Sequence, residues 1–253
     1  MRKVTILFSL ILAIATIAAA ATEKRVHKTA SLDRNGRLSI ETHNGTVVVT
    51  TWNQPTVDVV ARIEPGEFAT AEDVEKTEVK VSGSGSSVRI ESDYAGVSSH
   101  FFWFGIAREL PLIHYTISMP ATAGLDIDDH NAKVRVTGLH NDLRVNSHNG
   151  SVEAADLDGA ATIETHNGDI RIGFSRFAKS SRFETHNGSI EVRLPAGARF
   201  HVNASGHHMG VDSDFPTTIT QSPREGRYVG DVNGGGPELR VSTHNGSLRL
   251  KRV

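Results

Sequence analysis

The feature that most constrains this chain is a short motif, His-Asn-Gly, which recurs between runs of alternating apolar and polar residues. Five copies begin at His43, His148, His166, His186 and His244. Weaker echoes begin at His130 and His208, and the central histidines from His130 to His208 are 18, 18, 20 and 22 residues apart. A near-constant period of this size is typical of stacked repeats, each too small to bury a core alone.

Two architectures can produce such a pattern. Asn-Gly between alternating runs is the strongest short signal for an antiparallel hairpin, so a β-meander or β-sandwich is one reading. Further turns between the copies, at Gly138, Gly159 and Gly173, fit a repeat of two or three short strands better. We therefore predict an all-β chain, a β-solenoid of stacked repeats of about 18–22 residues with one short helical insert.

Within one repeat, strand alternation assigns the side chains to two sides. Thr165 should point inward, whereas Glu164 and His166 should point outward. Asn167 and Gly168 accept positive φ and should turn the chain at this point. The motif would then mark a corner of each coil.

Stacking would bring equivalent side chains of neighbouring coils to about 4.8 Å from one another. An external histidine column is expected from His148, His166 and His186. A ladder of side-chain amides is expected from Asn149, Asn167 and Asn187, and this ladder is our preferred explanation of the motif.

The first 21 residues differ from the rest of the chain. Arg2 and Lys3 precede an apolar run, and alanines at positions 18–21 resemble a cleavage site, so 1–21 is predicted to be a signal peptide. Retention as a membrane anchor is the alternative. Residues 22–253 would form one repeat β-solenoid domain.

Charge and cysteine content narrow the function classes. Loss of Arg2 and Lys3 with the signal peptide changes the formal net charge from −2 to −4. No cluster of Lys and Arg suggests nucleic-acid binding. The chain has no cysteine, which excludes disulfides and thiolate sites. We expect an exported protein of the periplasm or cell surface, without a transmembrane span after cleavage.

Two segments interrupt the repeats. Residues 66–92 should hold a short helix, with Thr70 as its N-cap, followed by a hairpin of 78–81 with 87–92. Residues 94–110 form an aromatic loop. It contains four consecutive aromatic residues, Phe101, Phe102, Trp103 and Phe104, which would either cap the stack or contact a partner or lipid. Residues 23–32 show no clear strand period and are predicted to be a short leader, and the prolines and glycines of 213–237 should break any strand there.

The outward histidines and acids are the candidate functional residues. A straight column of imidazoles does not converge on one metal ion, although its protonation could respond to pH. Six acids also lie outward or cluster on one coil: Glu41, Glu164, Glu184, Asp126, Asp128 and Asp129. Paired carboxylates cleave glycans in other proteins, but the repeat spreads these acids along the chain.

The repeats resemble the bacterial putative-adhesin family of unknown function, DUF4097, whose exported β-solenoid domains read apolar-x-apolar-x-Thr-x-x-Gly-x-apolar-x-apolar. The matching segments are 38–49, 125–136, 143–152, 163–172, 183–192 and 239–250. The resemblance implies an envelope or surface protein, and it transfers no catalytic residue.

These observations favour a non-enzymatic, adhesin-like interaction module of the cell envelope, with a protein or glycan of the envelope as its partner. We assign no catalytic, cofactor-binding or metal-binding residue. A carbohydrate-active enzyme on a β-helix scaffold and a metal- or pH-responsive histidine module are the alternatives.

Overall fold

The structure is a computed structural model, and it describes residues 23–67, 69–97, 100–102, 105–107, 110–222 and 226–253. The predicted signal peptide, Trp103 and Phe104 lie outside the described residues.

Strands dominate the described chain, and one short helix interrupts them. The elements in chain order are β1 Lys24–Glu41, β2 Asn44–Trp52, β3 Thr56–Glu64, α1 Ala71–Lys76, β4 Glu78–Asp93, β5 His100–Phe102, β6 Gly105–Ala107, β7 Leu112–Pro120, β8 Gly124–Asp129, β9 Asn131–Thr137, β10 Leu143–Ser147, β11 Val152–Leu157, β12 Ala161–Asn167, β13 Ile170–Phe174, β14 Ser181–Asn187, β15 Ile190–Leu194, β16 Phe200–Ser205, β17 His208–Ser213, β18 Thr217–Ser222, β19 Arg227–Val232 and β20 Glu238–Arg252.

The strands stack in parallel as two columns, with two strands per coil. The first column runs β4, β1, β8, β10, β12, β14, the first half of β20, and β16. The second runs β7, β2, β9, β11, β13, β15, the second half of β20, and β17. The predicted β-solenoid is therefore confirmed, and the meander is wrong for this central region.

Antiparallel strands extend one of the two columns at each end of the stack. At one end β3 pairs with β1 and β7. At the other end β19 pairs with β16 and β18. These pairings join 18 strands into one sheet, while β5 and β6 form a separate pair. β3 and β19 therefore satisfy edge backbone groups of β7 and β16, while β4 and β17 each pair with one strand among the described residues.

Inward-facing aliphatic and aromatic side chains fill the space between the two columns. Ile163 pairs in register with Val145 and Phe183, and all three are at most 1% exposed. On the second column Ile170 lies between Val152 and Ile190. Each such side chain contributes about 1.5–3 kcal/mol to the stability of the fold through its burial. Because these side chains are in register from coil to coil, the core is continuous along the stack.

The helix confirms one local prediction. The hydroxyl of Thr70 accepts a hydrogen bond from the backbone N–H of Asp73, and the Asp73 carboxylate accepts one from the backbone N–H of Thr70. This capping box stabilises the first turn of α1. No helix in the described part of the chain has the length and apolar character that a membrane crossing requires.

Three other local predictions are wrong. The segment 78–92 is not a hairpin, because β4 is one strand that pairs with β1 and passes Gly83 and Gly85 at positive φ. Residues 24–32 belong to β1, whose pairing with β3 stabilises a sequence with little period of its own. Residues 213–237 include β18 and β19, which pair with each other despite the flanking prolines and glycines.

Candidate functional site

Each central copy of the motif places a threonine inside the bend. Thr165, Thr185 and Thr243 are at most 6% exposed. Their hydroxyls donate to the carbonyl oxygens of Gly150, Gly168 and Gly188 at 3.2, 3.0 and 3.1 Å. The inward threonine is thus confirmed, and it ties each bend to the coil before it.

The glycine of the motif has a different role from the predicted one. Only Gly45 among the five has positive φ, at 122°. At Gly168, a Cβ atom would lie 2.0 Å from the carbonyl oxygen of Gly150. The central glycines therefore allow neighbouring coils to approach closely at the bend, which excludes any side chain there.

The predicted asparagine ladder is confirmed and extends beyond the predicted members. The side-chain amide of Asn167 donates to Asn149 at 2.8 Å and accepts from Asn187 at 2.8 Å. Further bonds of 2.8–3.0 Å continue the ladder to Asn44 at one end and Asn245 at the other. The bonds all run in one direction, so each inner amide is used both as donor and as acceptor.

The histidines next to this ladder lie in one row of stacked rings, which we call the histidine stack. Its members in spatial order are His43, His130, His148, His166, His186, His244 and His207. Neighbouring ring centroids are 4.7–5.4 Å apart, and the planes are within 10° of parallel. The predicted column therefore includes four more rings than the three that the sequence indicated.

The echo at His208 is displaced by one residue. His207 supplies the ring that stacks on His244, whereas His208 is in register with Asn245. The motif count identified the right place in the chain but the wrong histidine, because His208 and Met209 take the places of Asn245 and Gly246 in the register with β20.

Burial distinguishes the two ends of the stack. His43 is half-buried, and the ring of Tyr94 contacts it edge-on at 6.4 Å. Burial, with a smaller contribution from His130, lowers the pKa of His43, because the charged form loses hydration and gains a like charge. His130 and the following rings are exposed.

A groove runs beside the exposed part of the stack, and we call it the histidine groove. It encloses a volume of about 550 Å³. Its walls are five stacked rings and the outward residues two positions earlier on each coil, and its floor contains the buried hydroxyls. The ten wall residues are Asn146, His148, Glu164, His166, Glu184, His186, Ser242, His244, Ser205 and His207.

The carboxylates of the groove form ion pairs along the stack. Arg182, from the next outward row, contacts Glu184 at 2.5 Å and Glu164 at 3.7 Å. Glu41 pairs with Arg89 in the same way near the other end. One guanidinium group thus joins the acids of two coils, an arrangement that differs from two carboxylates facing each other across a bond to be cleaved.

The predicted acidic cluster on β8 separates into different environments. Asp126 contacts Arg37 at 2.8 Å, whereas Asp128 is exposed. Asp129 turns inward, where one carboxylate oxygen accepts from Ser147 at 3.0 Å and burial raises its pKa. Within the described residues, no group of three or more His, Cys, Asp or Glu side chains could hold a metal ion.

A polar chain that the sequence did not indicate links three strands near the first end. His114 of β7 contacts the Thr46 hydroxyl and a Glu64 carboxylate oxygen, both at 2.9 Å. Thr46 and Glu64 are 68 and 50 positions away from His114 along the chain, so spacing carries no signal of their contact. Thr46 lies mid-strand between β7 and β9, and we interpret the chain as a link between β2, β3 and β7.

Of the predicted aromatic contact residues, Phe101 and Phe102 lie in β5. Trp103 and Phe104 fall outside the described residues. A partner surface formed by these four aromatic residues therefore stays a prediction from the sequence.

Comparisons with known proteins identify solved structures that are similar to this chain over most of its length. No curated protein matches the chain. A putative cell adhesion protein from Clostridium sporogenes has a crystal structure with a TM-score of 0.48 and 11% identity, covering 91% of this chain and 100% of that one. A putative adhesin from Bacteroides fragilis gives 0.47 and 13%, with 91% and 97% covered.

The family model described as Toastrack DUF4097 matches residues 27–251. The match extends from β1 to β20 and includes every copy of the His-Asn-Gly motif. This chain belongs to the Toastrack DUF4097 family.

Proposed function

We propose that this protein is an exported, non-enzymatic binding module of the cell envelope or surface, and that it holds its partner in the histidine groove. The observation that carries the proposal is the row of five exposed imidazoles beside a continuous row of polar side chains. Each coil contributes one histidine and the polar residue two positions before it, so the groove offers an extended contact surface. Such a surface suits binding of a long partner better than turnover of a small one.

The opposite face of the solenoid is a useful contrast. Its outward row alternates Arg135, Glu153, Arg171, Glu191 and Arg249 in register. Arg135 donates to Glu153 at 2.9 Å. Opposite charges on successive coils neutralise one another there, which is the pattern of a solvated structural face.

The apolar surface gives little support for an apolar protein interface in the described part of the chain. Among the residues whose side-chain exposure the structure describes, which leave out 98–109 and 217–225, the large exposed hydrophobic residues are Val60 and Val253. Stable protein interfaces usually have an apolar core of several side chains. The polar groove is therefore the stronger candidate for the contact surface.

The proposal can be tested by co-sedimentation of the purified protein with cell envelopes of the source organism. The triple variant His148→Gln, His166→Gln, His186→Gln removes three imidazoles from the groove wall and should lose at least about tenfold in binding. A matched control is His27→Gln, His140→Gln, His201→Gln, which changes three histidines outside the stack and should bind like the wild type.

Two results would contradict the proposal. Failure of the wild-type protein to bind envelopes would exclude the function, and equal binding by the triple variant and its control would exclude the groove. Far-ultraviolet circular dichroism and thermal unfolding of all three proteins would show that each retains the fold.

A further inference from the structure

The backbone of the central strands beside the histidine groove is engaged in pairing on both sides, whereas β17 at the end of the stack pairs with β20 alone among the described strands. Strands β10, β12 and β14, which carry His148, His166 and His186 at or just beyond their ends, each pair with a neighbour on both sides. A peptide cannot add as an extra strand to such a wall, because β-strand addition requires a free edge. A ligand in the groove must be recognised by side chains.

Those side chains are all polar. The groove is lined by histidine, glutamate, asparagine, serine and threonine, together with one glycine. Because each ring face of the inner histidines is covered by the next ring, only the ring edges reach the ligand. An imidazole edge donates or accepts a hydrogen bond, so the groove is complementary to a molecule rich in hydroxyl groups.

The spacing of these groups fixes the geometry of the ligand. Successive rings from His148 to His207 are 4.7–5.4 Å apart. Each ring is accompanied by one polar residue of the same coil, for example Glu164 with His166 and Glu184 with His186. A ligand that uses this repeat must present a hydrogen-bonding group at each such interval, which is about the length of one sugar residue in an extended glycan.

The charge of the groove selects among such polymers. Its ionised wall residues are the carboxylates of Glu164 and Glu184, and Arg182 lies in the next row outward. The single positive charge of Arg182 compensates these two carboxylates only in part, so a polyanion would be repelled and an uncharged polymer would not.

We infer that the histidine groove binds a linear, uncharged, β-linked glycan that lies parallel to the solenoid axis, with one sugar residue per coil. Five coils contribute rings to the groove, so a chain of five or six sugars should fill it. The inference rests on the proposed function and names the class of ligand for that same groove.

Titration calorimetry with defined oligosaccharides tests the inference, with cellohexaose and N-acetylchitohexaose as the probes. At least one hexasaccharide should bind, and it should bind at least about tenfold more tightly than the disaccharide of the same series. The variant His148→Gln, His166→Gln, His186→Gln should lose at least about tenfold in affinity, while His27→Gln, His140→Gln, His201→Gln should not. A hexamer of galacturonic acid, as the anionic control, should not bind.

The inference is overturned if neither hexasaccharide binds, if the disaccharide binds as tightly as the hexasaccharide, or if the galacturonate hexamer binds best. Measuring binding to envelopes distinguishes a failure of the glycan inference from a failure of the proposed function. Stack-dependent binding to envelopes that is abolished by protease treatment would identify a protein partner and leave the binding module intact. Absence of envelope binding would overturn both.

Discussion

The first copy of the His-Asn-Gly motif and the central copies contain the same three residues but use them differently. His43 is half-buried against Tyr94, whereas His166 is exposed with a ring on each face. Asn44 accepts one ladder bond, and Asn167 both donates and accepts. The role of each residue therefore depends on whether both neighbouring coils carry the motif, because the coil of β4 and β7 beside the first copy has no His-Asn-Gly.

The glycines of the first copy and of the central copies can be compared in the same way, through their backbone conformation. Gly45 and Gly168 both face a carbonyl oxygen of the adjacent coil, so that a Cβ atom would lie 2.1 and 2.0 Å from it, respectively. Gly45 additionally has φ of 122°, a region that other residues rarely enter. The close approach is thus the shared requirement of the motif, and the unusual φ belongs to its first copy alone.

The largest effects should come from alanine at these two glycines. Gly168→Ala should destabilise the fold by about 3 kcal/mol, because the new methyl group meets backbone that can move only with the whole coil. Gly45→Ala should cost about 1–3 kcal/mol more, since its backbone conformation is also unfavourable for alanine. Urea unfolding followed by circular dichroism measures both free energies of unfolding.

Gly197→Ala is the matched control, because no atom lies within 4 Å of the position that its new methyl group would occupy. Its stability should stay within about 0.5 kcal/mol of the wild type. If Gly168→Ala were as stable as this control, close approach could not explain the glycine of the motif.

The sequence predicts the central coils well because each side chain there repeats one environment. The inward Thr165, the ladder of Asn167 and the parallel stack follow from a period of 18–22 residues and strand alternation. The terminal regions follow other rules. The antiparallel pairing of β1 with β3, and of β18 with β19, depends on partners that no period reveals.

The sequence predicted on which side of the strands the site residues lie, but not how many residues belong to the site. Outward placement of His166 follows from alternation. Inclusion of His207 depends on the register of β16 and β17 with β20, which the motif does not reveal because His208 and Met209 follow His207 in place of Asn and Gly. Arg182 likewise contacts two acids because it lies in the neighbouring outward row of the stack. This proximity depends on how the coils align with one another, which the sequence does not show.

The asparagine ladder gives a prediction of intermediate size. Asn167→Ala removes two side-chain hydrogen bonds and should cost about 1–2 kcal/mol, whereas Asn44→Ala removes one and should cost about 1 kcal/mol or less. Thermal unfolding at pH 7 compares the two. Asn146→Ala, an exposed asparagine of β10 outside the ladder, should be close to the wild type, and equal losses at all three positions would show that the ladder adds no stability.

The smallest effect should be the contribution of His43 to the pH dependence of stability. Because its pKa is lowered in the folded state, the stability that the neutral ring contributes is present above the unfolded pKa of about 6.5 and is lost as the pH falls from there through the folded pKa. His43→Gln should therefore show a shallower decline in the free energy of unfolding between pH 7.5 and about 5 than the wild type. Asn44→Ala, which alters the same coil without a titrating group, should keep the wild-type slope. An unchanged slope in His43→Gln would mean that the burial of the first ring against Tyr94, which distinguishes it from the central rings, has no electrostatic consequence.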